Sequence, residues 1–211
     1  MTRYDETLTL GDARERYFAE NGFSSAYDER WIKLRLAGRK LPVFPNTRAR
    51  VAAARVHDLH HVATEYDTSW VGEGEIGAWE LASGCGPYLA AWILNLAGFG
   101  IGCLLSPRRM LRAFVRGRHS KNLYGEGFAS ARLSQHVGAL RAELGLDRPV
   151  PGATPADLLW FAAWVVLGAL YTFGGMLSFT LFAFAMWKEP EAKAVPAVAG
   201  ASHSPNRAAP V

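Results

Sequence analysis

Apolar residues recur at helical spacing along most of this 211-residue chain. The pattern predicts one helix over residues 48–62, beginning after Thr47, and another over residues 70–82, beginning after Thr68 or Ser69, because hydroxyl side chains favour the position before a helix. No stretch shows the sustained alternation typical of a strand. The pattern therefore predicts an all-α fold, with further helices over residues 12–20, 88–105, 108–119 and 131–144.

One apolar segment is long enough to cross a membrane. Residues 158–187 carry no charge over thirty positions, whereas a transmembrane helix needs about twenty apolar residues. Two spans would need roughly forty residues and a turn. Trp160 and Trp187 lie near the two ends, where aromatic residues often mark the membrane interface. We therefore expect one C-terminal transmembrane helix.

A second apolar segment, residues 88–105, is a weaker candidate for a span. It is uncharged, but it contains Asn95 and three glycines, and Pro107 follows its end. A helix packed in the core is the favoured interpretation. A second span, or a helix half-immersed in the membrane interface, is the alternative.

These features divide the chain into four parts. The N-terminus contains several acids and no apolar stretch typical of a signal peptide, so the main domain of this integral membrane protein is expected on the cytosolic side. Pro42 and Pro45 indicate a loop before the main domain. The sequence predicts an N-terminal helical extension, a helical domain, a transmembrane segment and a disordered tail, at residues 1–47, 48–150, 158–187 and 188–211.

The charged residues are segregated, although the net charge is only +4. Residues 58–105 carry six acids and no Lys or Arg, whereas residues 106–148 carry nine basic residues and three acids. The basic segment has no zinc-finger, RNP or helix-turn-helix signal and lies between apolar segments, so it fits an anionic membrane surface and not nucleic acid. Cys85 and Cys103 show no metal-binding spacing and no disulfide framework.

Three of the six histidines fall within residues 57–61. On a helix, His57 and His61 lie on one face, and two imidazoles at this spacing can bind one divalent ion. Asp58 lies beside them, and Glu73 would face them from the antiparallel helix that follows. Nitrogen and carboxylate donors of this kind suit Zn²⁺ or another borderline divalent ion, so the sequence predicts a metal site between two helices.

Two further residues belong to the same neighbourhood. Glu80, seven positions after Glu73, would share its side of the helix as a second carboxylate. His60 points away from His57, and two interpretations stay open for it: a residue that supports the ligands, or a side chain that is simply packed.

Other histidine motifs fit less well. A zincin needs H-E-x-x-H, whereas Asp58 occupies the Glu position. An HD-type phosphohydrolase needs a histidine upstream of His57, and the sequence has none. The H-x-x-H-H box of membrane di-iron hydroxylases is present once, but such enzymes use several boxes and the remaining histidines are isolated.

The motif H-D-x-x-H-x(11)-E, formed by His57, Asp58, His61 and Glu73, resembles the hallmark of the coenzyme Q biosynthesis protein 4 family. The resemblance extends from about Arg48 to Pro149. It includes Tyr-Asp-Thr at 66–68, Trp-Glu at 79–80, the basic segment RRMLRAFVRGRHSKNLY and the later segment LSQHVGALRAELGLDRP.

Two departures from the family are informative. Glu65 stands where many members carry glycine, and it could add a ligand. The long apolar segment after Pro149 is extra, and it would make a peripheral protein an integral one.

The resemblance implies a metal-binding protein of ubiquinone biosynthesis, with a divalent metal, Zn²⁺ first, held by His57, Asp58, His61 and Glu73. The implied partners are membrane lipid, a polyprenylated quinone precursor and other quinone-biosynthesis proteins, and a homo-oligomer stays open. An enzymatic role, in which a prenylated benzoate is decarboxylated or hydroxylated, remains one alternative. A non-enzymatic membrane adaptor and a hydrolase of isoprenoid phosphates remain the others.

Overall fold

The computed structural model describes residues 4–23, 27, 31–36 and 39–188. Its described residues contain seven α-helices and a short 3₁₀ helix at Ser130–Ser134, which confirms the predicted all-α class. The predicted tail over residues 188–211 lies outside the described residues apart from Lys188. The helices are α1 (Leu10–Asn21), α2 (Arg48–Thr64), α3 (Trp70–Ser83), α4 (Leu89–Leu105), α5 (Pro107–Arg118), α6 (Val137–Leu144) and α7 (Pro155–Lys188).

A small antiparallel hairpin lies between α1 and α2 along the chain. It consists of β1 (Trp31–Leu36) and β2 (Arg39–Pro45). The prediction that no strand occurs, and that the prolines near residue 45 mark a loop, is wrong here. Proline is compatible with edge strands, and both strands of a two-stranded sheet are edges.

The helices α2 and α3 begin where the sequence predicts. The Thr47 hydroxyl accepts a hydrogen bond from the backbone N–H of Arg50 (3.2 Å), and Ser69 does the same for Gly72 (3.1 Å). The helix α2 ends at Glu65, whose φ of 66° lies in the left-handed region. That region favours glycine, because a Cβ there approaches the neighbouring carbonyl.

The helix α3 is central in the helical domain and packs mainly against α4 and α5. It comes closest to α4 at Gly74, where a Cβ would lie only 2.8 Å from Cα of Gly102. The surrounding core is tightly filled, and its largest fully buried side chains are Trp79, Tyr4, Tyr124, Phe99 and Phe114.

The helix predicted over residues 131–144 is interrupted near its middle. Thr9 and His136 form an isolated antiparallel bridge, and the backbone N–H of Leu10 donates to the carbonyl of Gln135 (2.8 Å). Pairing with this distant N-terminal segment replaces helical hydrogen bonds, so a 3₁₀ helix and α6 take the place of one continuous helix. A local pattern carries no information on such a contact.

The chain divides into two compact units, residues 1–176 and 177–211. The described part of the second unit, residues 177–188, is helical. Among the described residues, one helix is long and apolar enough to cross a membrane by length and composition, Pro155–Gly175, and almost none of it is buried.

The helix α4 buries one face and exposes the other. Asn95 and Phe99 are buried against the domain, whereas four leucines are exposed, Leu89, Leu94, Leu104 and Leu105. The prediction that residues 88–105 form a helix packed in the core therefore describes one face of α4 only. The other face is apolar and uncovered by the described residues.

Candidate metal centre

The helices α2 and α3 bring three of the predicted ligands together. Nε2 of His57 lies 3.1 Å from Nε2 of His61 and 3.6 Å from Oε2 of Glu73. Nε2 of His61 lies 3.5 Å from Oε1 of the same carboxylate. These side chains form a group that can hold a metal ion, because one donor atom from each lies within 4.8 Å of the other two.

The hydrogen bonds of the two imidazoles determine which nitrogen is free. Nδ1 of His57 lies 2.9 Å from Oε1 of Glu80, and Nδ1 of His61 lies 2.8 Å from the backbone carbonyl of Tyr66. A carboxylate and a carbonyl can only accept, so both Nδ1 atoms carry the hydrogen. In the neutral rings, each Nε2 therefore presents a lone pair to the other, an arrangement that a shared cation stabilises.

The donor set fits a tetrahedral divalent ion. Zinc binds imidazole nitrogen at about 2.0–2.1 Å, so two ligands at a tetrahedral angle lie about 3.4 Å apart. The separation of the two Nε2 atoms, 3.1 Å, is close to that edge length, and the two oxygens of Glu73 lie 3.6 and 3.5 Å from Nε2 of His57 and of His61 respectively. Three protein ligands would leave one position for water or a substrate oxygen, as in catalytic zinc sites.

Glu80 is fully buried behind the ligands and is not one of them. Its Oε1 accepts from Nδ1 of His57 (2.9 Å) and of His60 (2.6 Å). Its Oε2 accepts from the amide of Asn95 (2.5 Å) and the hydroxyl of Tyr124 (2.9 Å). A carboxylate that holds the far nitrogen of a ligating histidine fixes its tautomer and ring orientation. The sequence predicted that Glu80 lies on the same side of the helix as Glu73, as a second carboxylate of the site. In the structure it instead bonds to the far nitrogen of His57 and supports that ring.

His60 has a supporting role as well. Its Nε2 accepts the backbone N–H of Leu123 (3.0 Å), so its proton is on Nδ1 and is donated to Glu80. Burial lowers the pKa of His60, which keeps the ring neutral. The two open interpretations of this residue are therefore both partly right, because it is packed and it supports the group that orients His57.

The histidines and the two glutamates of the site shift one another's pKa values. Burial lowers the pKa of His57, but the charge of Glu80 and the hydrogen bonds that the imidazole donates to Glu73 and Glu80 outweigh it and raise the pKa well above its ordinary value. Burial raises the pKa of Glu73, but hydrogen bonds from His57 and His61 outweigh it and hold the pKa below its ordinary value. The carboxylates are therefore ionised, as ligands and supports must be.

Asp58 does not join the group of His57, His61 and Glu73. Its Oδ2 accepts the hydroxyl of Tyr27 at 2.5 Å. Burial raises the pKa of Asp58, and the hydrogen bond from Tyr27 lowers it in part. Adjacent positions on a helix diverge by about 100°, which explains why Asp58 points away from the face that carries the two imidazoles.

Glu65 is likewise no ligand of this group. Its Oε1 accepts from Nη2 of Arg141 at 2.7 Å. Arg141 is buried and donates to the carbonyls of Val62 and Ala63 as well, so it caps the end of α2. The ion pair offsets the backbone strain that Glu65 accepts in the left-handed region.

Sequence reasoning missed Asn95 and Tyr124 as members of the buried network. Asn95 could have been found, because it is the one polar amide within the apolar residues 88–105. A polar group in such a segment needs a partner when it is buried. Tyr124 carries no comparable local signal.

Comparison with family models, with curated proteins and with solved structures found no match for this chain.

Proposed function

We propose that this chain is a metal-binding membrane protein of ubiquinone biosynthesis that acts on the aromatic head group of a polyprenylated precursor. The observation that carries the proposal is the convergence of His57, His61 and Glu73, at the spacing of the family motif, with Nε2 of both imidazoles directed toward one position. A divalent ion there would polarise a carboxylate or phenolate oxygen of the head group.

The residues around the centre have distinct roles in this proposal. His57, His61 and Glu73 hold the ion, and Glu80 keeps the proton on Nδ1 of His57 so that Nε2 stays available. Tyr17 covers one side, because its ring stacks on His61 with a centroid distance of 5.2 Å. Since Tyr17 is only 2% exposed, it excludes water from that side.

The backbone of Glu65 supports the alignment with the family. Many members carry glycine at this position, and the position has the left-handed conformation that glycine adopts without strain. Among the described residues, neither neighbour of Glu65 has a positive φ, so an alignment shifted by one residue would lose this agreement.

The apolar helices support the membrane part of the proposal. The exposed face of α4 offers leucines for an isoprenoid tail, and Pro155–Gly175 provides a span that anchors the main domain at the cytosolic surface. The two helices pack closely: a Cβ at Gly100 would lie 3.0 Å from the carbonyl oxygen of Gly168, a small-residue contact typical of membrane helices.

The test is to identify what the full chain holds when it is purified in detergent. We expect about one divalent metal per chain and a polyprenylated aromatic compound in the lipid extract by mass spectrometry. In a host strain in which quinone production depends on this chain, Glu73→Gln is expected to stop production. A metal-free, lipid-free protein, together with unchanged quinone levels in cells that lack it, contradicts the proposal.

The placement of the three candidate ligands favours a second candidate, a non-enzymatic adaptor in which the metal only fixes the fold. His57 and His61 lie on α2 and Glu73 lies on α3, so an ion held by all three would link the two helices. The folded Glu73→Gln variant separates the two functions. Quinone production that persists with it supports the adaptor, and production that stops supports a chemical role for the metal.

A further inference from the structure

A cavity of about 710 Å³ lies beside the metal centre and is lined by arginines. Its walls are the end of α2, one face of α5, and the chain around Pro149. Arg109, Arg112 and Arg116 lie at spacings of three and four residues, so they share one face of α5. Arg148 completes the basic lining.

The charge in this cavity is only partly compensated. Arg109 forms a bidentate pair with Glu75, at 2.8 and 2.5 Å. Glu65, the other acid of the lining, forms an ion pair with Arg141, which is not part of the lining. In the part of the chain that the structure describes, Arg112 and Arg148 have neither a hydrogen bond nor an ion pair.

Arg116, in the same lining, is held in place by its own contacts. It donates from Nη1 to the backbone carbonyl of Thr64 (3.0 Å), and its guanidinium lies 5.6 Å from the centre of the Tyr66 ring. Neither contact supplies a negative charge. One fixed and two exposed guanidinium groups therefore line a concave surface in which three positive charges lack a carboxylate partner among the described residues.

We propose that this cavity binds a phosphate group, either of a soluble phosphate ester or of a phospholipid head group. Guanidinium groups match phosphate oxygens with paired hydrogen bonds, and several of them around one concavity favour a dianion over a single carboxylate. The volume exceeds what one phosphate needs, so there is room for the rest of the molecule.

Tyr66 connects this cavity with the metal centre. Its backbone carbonyl accepts from Nδ1 of His61 (2.8 Å), while its ring lines the cavity under Arg116. A bound phosphate would therefore lie directly behind the residue that orients one metal ligand.

The test is calorimetric titration of the full chain in non-ionic detergent with two probes, pyrophosphate and short-chain phosphatidic acid. The double variant Arg112→Gln with Arg148→Gln is expected to bind at least about tenfold more weakly, because it loses two charged hydrogen-bond donors. Arg108→Gln is the matched control, since Arg108 is an exposed arginine of the same helix that does not line the cavity. We expect this control to bind within about twofold of the wild type.

The outcomes identify the source of the phosphate. Binding of pyrophosphate indicates a soluble ester, and binding of phosphatidic acid alone indicates a lipid head group. The Glu73→Gln variant should keep the same affinity, which separates this cavity from the metal centre and from the proposed function. The proposal is overturned if the wild type binds neither probe, if the double variant binds as well as the wild type, or if only Glu73→Gln loses binding.

Discussion

The metal centre and the apolar helices depart from the usual distribution of residues in opposite ways. Around Glu80, charged and polar side chains are buried, and they form hydrogen bonds with one another. Along α4 and Pro155–Gly175, leucines and aromatic residues are exposed in the part of the chain that the structure describes. The comparison teaches that the first region is completed by contacts within the chain, whereas the described residues leave the second apolar and uncovered.

The largest effect should come from breaking the buried region at Glu80. Glu80→Leu removes the acceptor shared by four side-chain donors, His57, His60, Asn95 and Tyr124, so we expect the free energy of unfolding to fall by about 3–5 kcal/mol. Denaturant unfolding followed by circular dichroism measures this. Glu80→Gln keeps one acceptor oxygen and should be intermediate, and a Glu80→Leu protein as stable as the wild type would refute the network.

The next largest effect tests which acidic residues hold the metal ion. Glu73→Gln removes an anionic ligand and should lower metal affinity by at least about tenfold, while Asp58→Asn should keep the wild-type metal content because Asp58 faces Tyr27. Metal analysis after gel filtration of both variants distinguishes them. Loss of metal from Asp58→Asn while Glu73→Gln keeps its metal would favour a ligand set that includes Asp58 over the set of His57, His61 and Glu73.

A smaller effect tests the exposed apolar region. Leu170 is 68% exposed, so Leu170→Arg would cost little in water but about 2.5–3.5 kcal/mol at the centre of a bilayer. We expect this variant to appear in the soluble fraction after alkaline extraction of membranes, whereas Leu170→Ala stays in the pellet. Equal retention of both variants would argue against a span at Pro155–Gly175.

The smallest effect is expected at Glu143, a carboxylate that is exposed at the surface, whereas Glu80 is buried. Hydrogen bonds from Arg132 and Gln135 lower the pKa of Glu143. Its stabilisation is therefore present above the ordinary range of a glutamate and is lost as the pH falls below about 4. Because the side chain is exposed, we expect less than about 1 kcal/mol.

Urea midpoints of the wild type and Glu143→Gln measure this contribution at pH 7 and pH 3. The difference between the two proteins should shrink at the lower pH. A difference that grows on acidification contradicts the assigned sign.

The sequence predicted what local chemistry determines. Thr47 and Ser69 cap helices because of their own hydroxyls, and the spacing of His57 and His61 follows from helix geometry alone. Glu73 joined them because a short connection returns the chain to the same side. All of these signals lie within about twenty residues of sequence.

The remainder depended on contacts between distant segments. Glu80 turns inward because Asn95 and Tyr124 meet it there, and neither contact is encoded near residue 80. The break before α6 arises from the bridge between Thr9 and His136. The hairpin is different, since residues 32–36 do alternate between apolar and polar types, and the prolines of the second strand obscured that signal.

Glu65 restricts the substitutions that this lineage can accept. A change to glycine would relieve the left-handed backbone, yet it would also remove the carboxylate 2.7 Å from the buried guanidinium of Arg141. The relief is worth about 1 kcal/mol, whereas breaking a buried ion pair costs about 3–5 kcal/mol. The exposed carboxylate of Glu6, 3.7 Å from Nη1 of Arg141, offsets that loss only in part. Glu65 is therefore entrenched: a change to glycine becomes acceptable only after position 141 has changed.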